Sequence, residues 1–315
     1  MRDVSDEVSH LQTEGVRTDL GDLDTRSTRE VLTAIAEEDA IVPAAVAAAT
    51  DAITAAVEVT VAHLSRGGRL VYAGAGTPGR LGLLDAAECV PTFGTDPGLV
   101  VALMAGGRRA ASAAVEGAED EHDSAARDLN AISLRAEDVV LAVSSSGRTP
   151  YALGAVTAAR ALGAATIGVS NNPGSRLSEL VDVPIEIETG PEVIAGSTRM
   201  KAGTSQKLVL NMLSTATMVR LGKTYGNLMV DLRATNAKLR ARSVRIVSEA
   251  TGAGADDAAA ALSAADGEVK TAIVALVTGT DAEGARDSLR RAAGRVREAV
   301  SREQAYGPQG TETQS

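Results

Sequence analysis

Five short apolar runs alternate with helical stretches through the middle of the chain, and this alternation limits the fold more than any other feature. The runs are RLVYAGAG from Arg69, LVVALMAGG from Leu99, DVVLAVSSSG from Asp138, AATIGVSNN from Ala164 and VDVPIEIE from Val181. Continuous apolar runs of this length suit strands buried on both faces. Strands separated by helices predict an α/β fold, a parallel sheet with helices on both sides. Aromatic residues make up only 2% of the chain and there is no Trp. The core is therefore expected from Ala, Val, Leu and Ile, small enough for helices to pack closely on such a sheet.

Around the runs the chain divides further. Residues 1–27 are polar and aperiodic and predict an extended arm. Ser27 and Thr28 suit the cap of a helix running to about Glu38. A second helix is predicted from Pro43 to Ser65, with Val46, Ile53, Val57, Val61 and Leu64 at helical spacing and Gly67-Gly68 as its stop. Helical stretches also fill 81–90, 108–131 and 149–163, and a long helix is predicted over about 198–221. A polar break near Asn227–Asn236 then leads into a run of short helices separated by glycines. The predicted domains are an arm over 1–27, a domain over 28–232, a small helical domain over 233–305 and a disordered tail over 306–315.

Charge and composition narrow the partners. The net charge is −10, which repels nucleic acid and anionic lipid in the absence of a basic run. A single cysteine, Cys89, excludes an internal disulfide and fits a reducing compartment. His10, His63 and His122 are scattered, with no metal-ligand spacing, so no metal is expected. The polar N-terminus, and the lack of an apolar run of about 18 residues, predict a cytoplasmic protein without a membrane span.

Chemistry is expected in the turns after the strands, because ligands of open parallel sheets bind beyond the carboxyl ends of the strands. The first such turn is Gly74-Ala75-Gly76-Thr77-Pro78-Gly79-Arg80, and the second is Ser144-Ser145-Ser146-Gly147-Arg148-Thr149-Pro150. Each opens a helix. Glycines allow close backbone approach to an anion, and hydroxyls and helix-start amides donate hydrogen bonds. The pair predicts a phosphate cradle involving Gly76, Thr77, Gly79, Arg80, Ser144, Ser145, Ser146, Gly147 and Thr149. Ordinary turn and cap chemistry is the competing reading. The first turn also fits G-x-G-x-x-G, but the second strand ends in Gly106-Gly107-Arg108-Arg109 without the carboxylate that holds a dinucleotide ribose. Neither turn ends in Gly-Lys-Ser/Thr, which argues against a nucleoside triphosphate.

Two carboxylates stand out. Glu88 lies among small and apolar neighbours in LLDAAECVP, an environment expected to favour its protonated form. Glu119 lies in the acidic stretch AAVEGAEDEHD, which taken alone reads as a solvated face. Segment 190–207 carries Glu192, Ser197, Arg199 and Lys201, and reads either as a helix cap or as a third wall of a ligand pocket.

These residues form long stretches resembling one family. TEGVRTDLGDLDTRST, GRLVYAGAGTPGRLGLLDAAECVPTFG, AVEGAED, SSSGRTPY, GVSNNPGS, GPEVIAGSTRMKAGTSQKLVLNMLST and GNLMVDLRATNAKLR together resemble the N-acetylmuramic acid 6-phosphate etherases, in order and over nearly the whole chain. The resemblance implies a sugar-isomerase (SIS) fold with a ubiquitin-associated-like helical unit at the C-terminus. It implies a carbon–oxygen lyase that recycles cell-wall sugar, releasing D-lactate and N-acetylglucosamine 6-phosphate. It implies homodimers with pockets near the subunit interface and no cofactor. Glu88, in the Asp-Ala-Ala-Glu-Cys motif, and Glu119, in Glu-Gly-Ala-Glu-Asp, match the family's catalytic acid/base pair. Ser144, Ser146 and Thr149 match its Ser-x-Ser-x-x-Thr phosphate set. Pro78 departs from the usual Gly-Thr-Ser-Gly of the first turn, and the lost hydroxyl predicts weaker phosphate binding. A non-catalytic sugar-phosphate sensor and an aldose–ketose isomerase are the alternatives. Both glutamates argue against the sensor, and the isomerase needs no acid to expel lactate.

Overall fold

The structure is a computed structural model that describes residues 10–113, 115–232 and 237–306. The chain divides into two compact units. One comprises residues 1–87 and 97–217, and the other residues 88–96 and 218–315.

The first unit opens with single 3-10 turns at Gln12–Glu14, Thr18–Leu20 and Leu23–Thr25, where the sequence predicts only an extended arm. Helix α1 (Thr28–Asp39) starts in a capping box: the Ser27 hydroxyl accepts from the Glu30 amide, and the Glu30 carboxylate accepts from the Ser27 amide. The single helix predicted over 43–65 is two, α2 (Val42–Ala48) and α3 (Thr50–Leu64). At the break the Thr50 hydroxyl donates to the Ala47 carbonyl (2.6 Å), a local bond that competes with the helical ladder.

Strand β1 (Leu70–Gly74) is followed by α4 (Gly76–Phe93), β2 (Val100–Met104), α5 (Gly107–Ser112), a 3-10 turn (Ala118–Asp120) and α6 (His122–Ala131). Then come β3 (Val139–Val143), α7 (Pro150–Ala161), β4 (Ala165–Ser170), α8 (Arg176–Leu180), β5 (Val183–Glu186) and α9 (Lys201–Arg220). The five strands form one parallel sheet in the order β2-β1-β3-β4-β5. Every residue of β1 and β3 is buried, as their unbroken apolar sequences demand.

Small side chains set the layer spacing. Ala125, Leu129, Tyr151, Ala155 and Ala159 of α6 and α7 pack with Val71, Ala73 and Val140 of the sheet. A Cβ on Gly154 would lie 2.1 Å from the His122 carbonyl, so α7 needs glycine there. The buried Tyr151 hydroxyl donates to Asp128 (2.7 Å); burial first, and the carboxylate second, raise its pKa. On α4 the buried Asp85 carboxylate accepts from Tyr72 of β1 (2.7 Å) and from Asn211 (2.6 Å) and Ser214 (3.2 Å) of α9.

At the amino end of the sheet, Asp138 is wholly buried and accepts from the Arg69 amide (2.9 Å), the Arg69 guanidinium (2.6 Å) and the Arg135 amide (2.9 Å). Burial alone would raise the Asp138 pKa. The hydrogen bonds and charge of Arg69, with the Arg135 amide, outweigh it and hold the carboxyl below its usual range.

In the second unit the predicted polar break contains a hairpin, β6 (Thr224–Tyr225) and β7 (Leu228–Met229), turned by Gly226 and Asn227 with Gly226 at φ +57°. Gly-Asn between short apolar pairs is a hairpin signal. Helices α10 (Ala237–Thr251), α11 (Ala255–Ala264), α12 (Val269–Thr278), α13 (Ala282–Arg291) and α14 (Val296–Tyr306) follow. Their core includes Ile246, Val247, Ile273, Val274 and Leu289. Among the described residues no single helix is long and apolar enough to cross a membrane. The predicted tail beyond Tyr306 lies outside the described residues.

Candidate active site at the carboxyl ends of β1, β2 and β3

The chain runs outward from β1 to β2, then crosses back to β3 on the other side of β1. This reversal leaves a crevice beyond the carboxyl ends of β1 and β3, the usual ligand site of such sheets. Gly74 pairs in register with Val143, so the glycine-rich turn and the serine-rich turn leave the sheet side by side.

The serine-rich turn is held by its own hydroxyls. The Ser144 hydroxyl, 1% exposed, bonds to Thr149 (2.7 Å) and Ser146 (3.3 Å) and accepts from the Gly147 amide (3.0 Å). Ser145 accepts from the Gln206 side chain (2.8 Å). Gly147 has φ +67°, and a Cβ there would fall 2.3 Å from that of Ser175. Ser144, Ser145 and Gly147 thus shape the turn. Ser146 and Thr149 line a cavity of about 310 Å³ together with Arg148, Pro150, Glu119 and Asp120.

Glu119 also lines a second cavity of about 260 Å³, with Gly76, Arg80, Met104 and Glu116. It sits on the exposed 3-10 turn Ala118–Asp120, entered through Gly117 at φ +72°. The glycine-rich turn contributes Gly76, at φ +58°, and Arg80 to this cavity. Gly79 is demanded by packing, since a Cβ would lie 2.7 Å from the Gly74 carbonyl and 2.8 Å from Met104. Thr77 packs toward Gly203. Pro78 falls in the first turn of α4, where a missing amide donor removes no helical bond.

Glu88 is exposed, so the apolar setting suggested by its sequence neighbours does not bury it. The neighbours alternate around the helix, and Cys89 and Asp85 take the buried positions instead. Glu88 belongs to the stretch 88–96 of the second unit and lines neither cavity.

Glu192, Ser197 and Lys201 also line neither cavity. The buried Glu192 carboxylate accepts from the Lys201 and Ala202 amides, both at 3.0 Å, and so caps α9. That cap places the helix start at Lys201, later than the predicted Thr198. The Lys201 ammonium is 2.5 Å from Glu38, which also pairs with Arg17. Burial would raise the Glu38 pKa, but the two cations hold it below its usual value.

Arg148, Glu116 and Asp120 enter the cavities without having been singled out by the sequence. An arginine inside a hydroxyl-rich turn is the signal that could have marked Arg148. Among the described residues no three His, Cys, Asp or Glu side chains are grouped to hold a metal ion. A larger cavity of about 790 Å³ belongs wholly to the second unit. Within it Lys270 pairs with Asp231 (2.7 Å) and Arg286 with Glu268 (2.8 Å).

Fold and site together define an α/β protein of parallel-sheet type with hydroxyl, guanidinium and carboxylate groups gathered beyond the carboxyl ends of β1 and β3. Residues 52–160 match the family model described as the glucokinase regulatory protein N-terminal SIS domain. The chain is 57% identical over 276 residues to an N-acetylmuramic acid 6-phosphate etherase from Streptomyces avermitilis, covering 88% of this chain and 89% of that protein. It is 52% identical over 268 residues to one from Escherichia coli, covering 85% and 90% respectively. A phosphoheptose isomerase structure from Francisella tularensis aligns over 61% of this chain and 98% of its own, with 16% identity and a TM-score of 0.48. The chain belongs to the N-acetylmuramic acid 6-phosphate etherase family.

Proposed function

We propose that this protein cleaves the lactyl ether of N-acetylmuramic acid 6-phosphate with water, giving N-acetylglucosamine 6-phosphate and D-lactate. The observation that carries the reading at residue level is the position of Glu119, which borders both the cavity of Ser146, Arg148 and Thr149 and that of Gly76 and Arg80. The phosphate belongs with the hydroxyls and guanidinium of the first of these cavities.

In the ring-opened sugar the ether oxygen sits on C3, β to the aldehyde. Glu119 takes the C2 proton, and the electrons pass to the carbonyl as an enolate. The C3–O bond then breaks, and the lactate oxygen receives a proton from Glu88. Water adds at C3 and a proton returns to C2, so the sugar regains a hydroxyl and no electrons change hands. Glu88 takes the acid role on the strength of the family motif alone, since it is exposed and lines neither cavity. The domain over 28–232 would carry this chemistry, with 233–305 as the helical domain, in a cytoplasmic homodimer.

Lactate release from the phosphorylated muramic sugar is the direct assay. Glu119→Gln is expected to lower kcat by about 10²–10⁴-fold and to abolish C2 proton exchange in deuterium oxide. Glu88→Ala is expected to keep exchange while losing lactate release. The opposite pattern reverses the two roles, and tight binding without any release by the unaltered protein supports a sensor.

A further inference from the structure

We propose that Arg80 is a specificity residue that holds the lactyl carboxylate. The inference rests on the proposed activity and extends it to the second anion of the substrate. That substrate is charged at both ends, with a phosphate on C6 and a carboxylate on the C3 substituent, and the reacting carbons lie between. The site has the same order. One cavity joins the hydroxyls and Arg148 with the carboxylates of Glu14 and Asp120, the other holds Arg80 with Glu116, and Glu119 lies at the border of both.

The donors divide unequally. Ser146 and Thr149 serve only the first cavity, which suits a phosphate with its many acceptor oxygens. The second cavity has one cation, Arg80. Among the described residues Arg80 makes one hydrogen bond, from Nε to the Ala111 carbonyl (3.3 Å), and no ion pair. That bond anchors the guanidinium and leaves the terminal amino groups for a planar carboxylate, the partner arginine fits best. Glu116 lines the same cavity and opposes a bound anion, as does Glu119. Arg80 is therefore the group that allows a carboxylate to enter. With the phosphate in the Ser146 cavity and C2 at Glu119, the lactyl arm extends from C3 into the Arg80 cavity.

The product N-acetylglucosamine 6-phosphate keeps the phosphate and lacks the lactyl arm, so it separates the two anion sites. For Arg80→Met we expect KM for the phosphorylated muramic sugar to rise at least tenfold. Affinity for the product should stay within about twofold, and Arg80→Lys should recover part of the loss. Arg148→Met should weaken both ligands together. A substrate whose lactyl carboxylate is converted to an amide gives the second test. The unaltered protein should lose about tenfold on amidation, and Arg80→Met less than twofold. If Arg80→Met weakens the product as much as the substrate, or if amidation costs both proteins equally, the assignment of Arg80 is overturned while the lyase activity stands. If Arg80→Met does not fold, no penalty for the amide on the unaltered protein overturns it alone. If the unaltered protein releases no lactate, the activity itself fails and this inference with it.

Discussion

Glu119 and Ser146 show how different the demands on single residues are. Ser146 is half-buried and lines a cavity, whereas Ser144, two positions away, is buried and ties the turn together. Pro78 can be judged on the same basis. It lines neither cavity and occupies a first helical turn that tolerates proline. With the phosphate assigned to the Ser146 side, the weaker phosphate binding expected from its missing hydroxyl no longer follows. Steady-state kinetics of Pro78→Ser should therefore give a KM within about twofold of the parent value, and a severalfold lower KM would place the phosphate at the first turn instead. The hydroxyl turn and the acidic Glu119 segment were legible as residue types. Their sharing of one cavity was not, because it depends on strand order, which spacing along the chain does not encode.

At the scale of elements, the strands are where sequence and structure agree most closely, since β1 and β3 are apolar throughout and buried throughout. Helix ends were less legible. Glu192, nine residues ahead of Lys201, supplies the cap of α9, a partner that local capping patterns overlook. The break at Ala49 and the Gly226 hairpin likewise turn on single side chains or single φ values. The joint of β1 and β3 rests on Arg69 and Asp138. Asp138→Asn leaves the half-buried Arg69 without its counter-charge and should cost up to about 3 kcal/mol in denaturant unfolding. Because the folded pKa of Asp138 lies below its unfolded value, its contribution is complete above about pH 4 and is lost as pH falls through the folded pKa. The stability gap between parent and variant should accordingly narrow in acid. A gap that persists unchanged there would assign the cost to packing.

For the molecule as a whole, the apolar surface is uneven. Val16, Leu32 and Ile194 are 73%, 61% and 55% exposed, and Leu20, Leu23, Val31, Val193 and Ile194 line an open groove of about 450 Å³ in the first unit. An apolar groove of this kind suits an interaction site, and a second copy of the chain is the occupant in keeping with the proposed homodimer. Ile194→Glu, at an exposed residue lining this groove, should shift the mass measured by light scattering from dimer to monomer. An unchanged dimer mass would move the interface elsewhere.

Asp85 has a further consequence for recognition. Its three hydrogen bonds fix the rotational setting of α4, and each residue of a helix turns the next by about 100°. The same helix carries Gly76 and Arg80 in its opening turns. A carboxylate that never meets the ligand thus sets the bearing from which a guanidinium can reach it, so that selectivity at the rim is indexed from the protein interior.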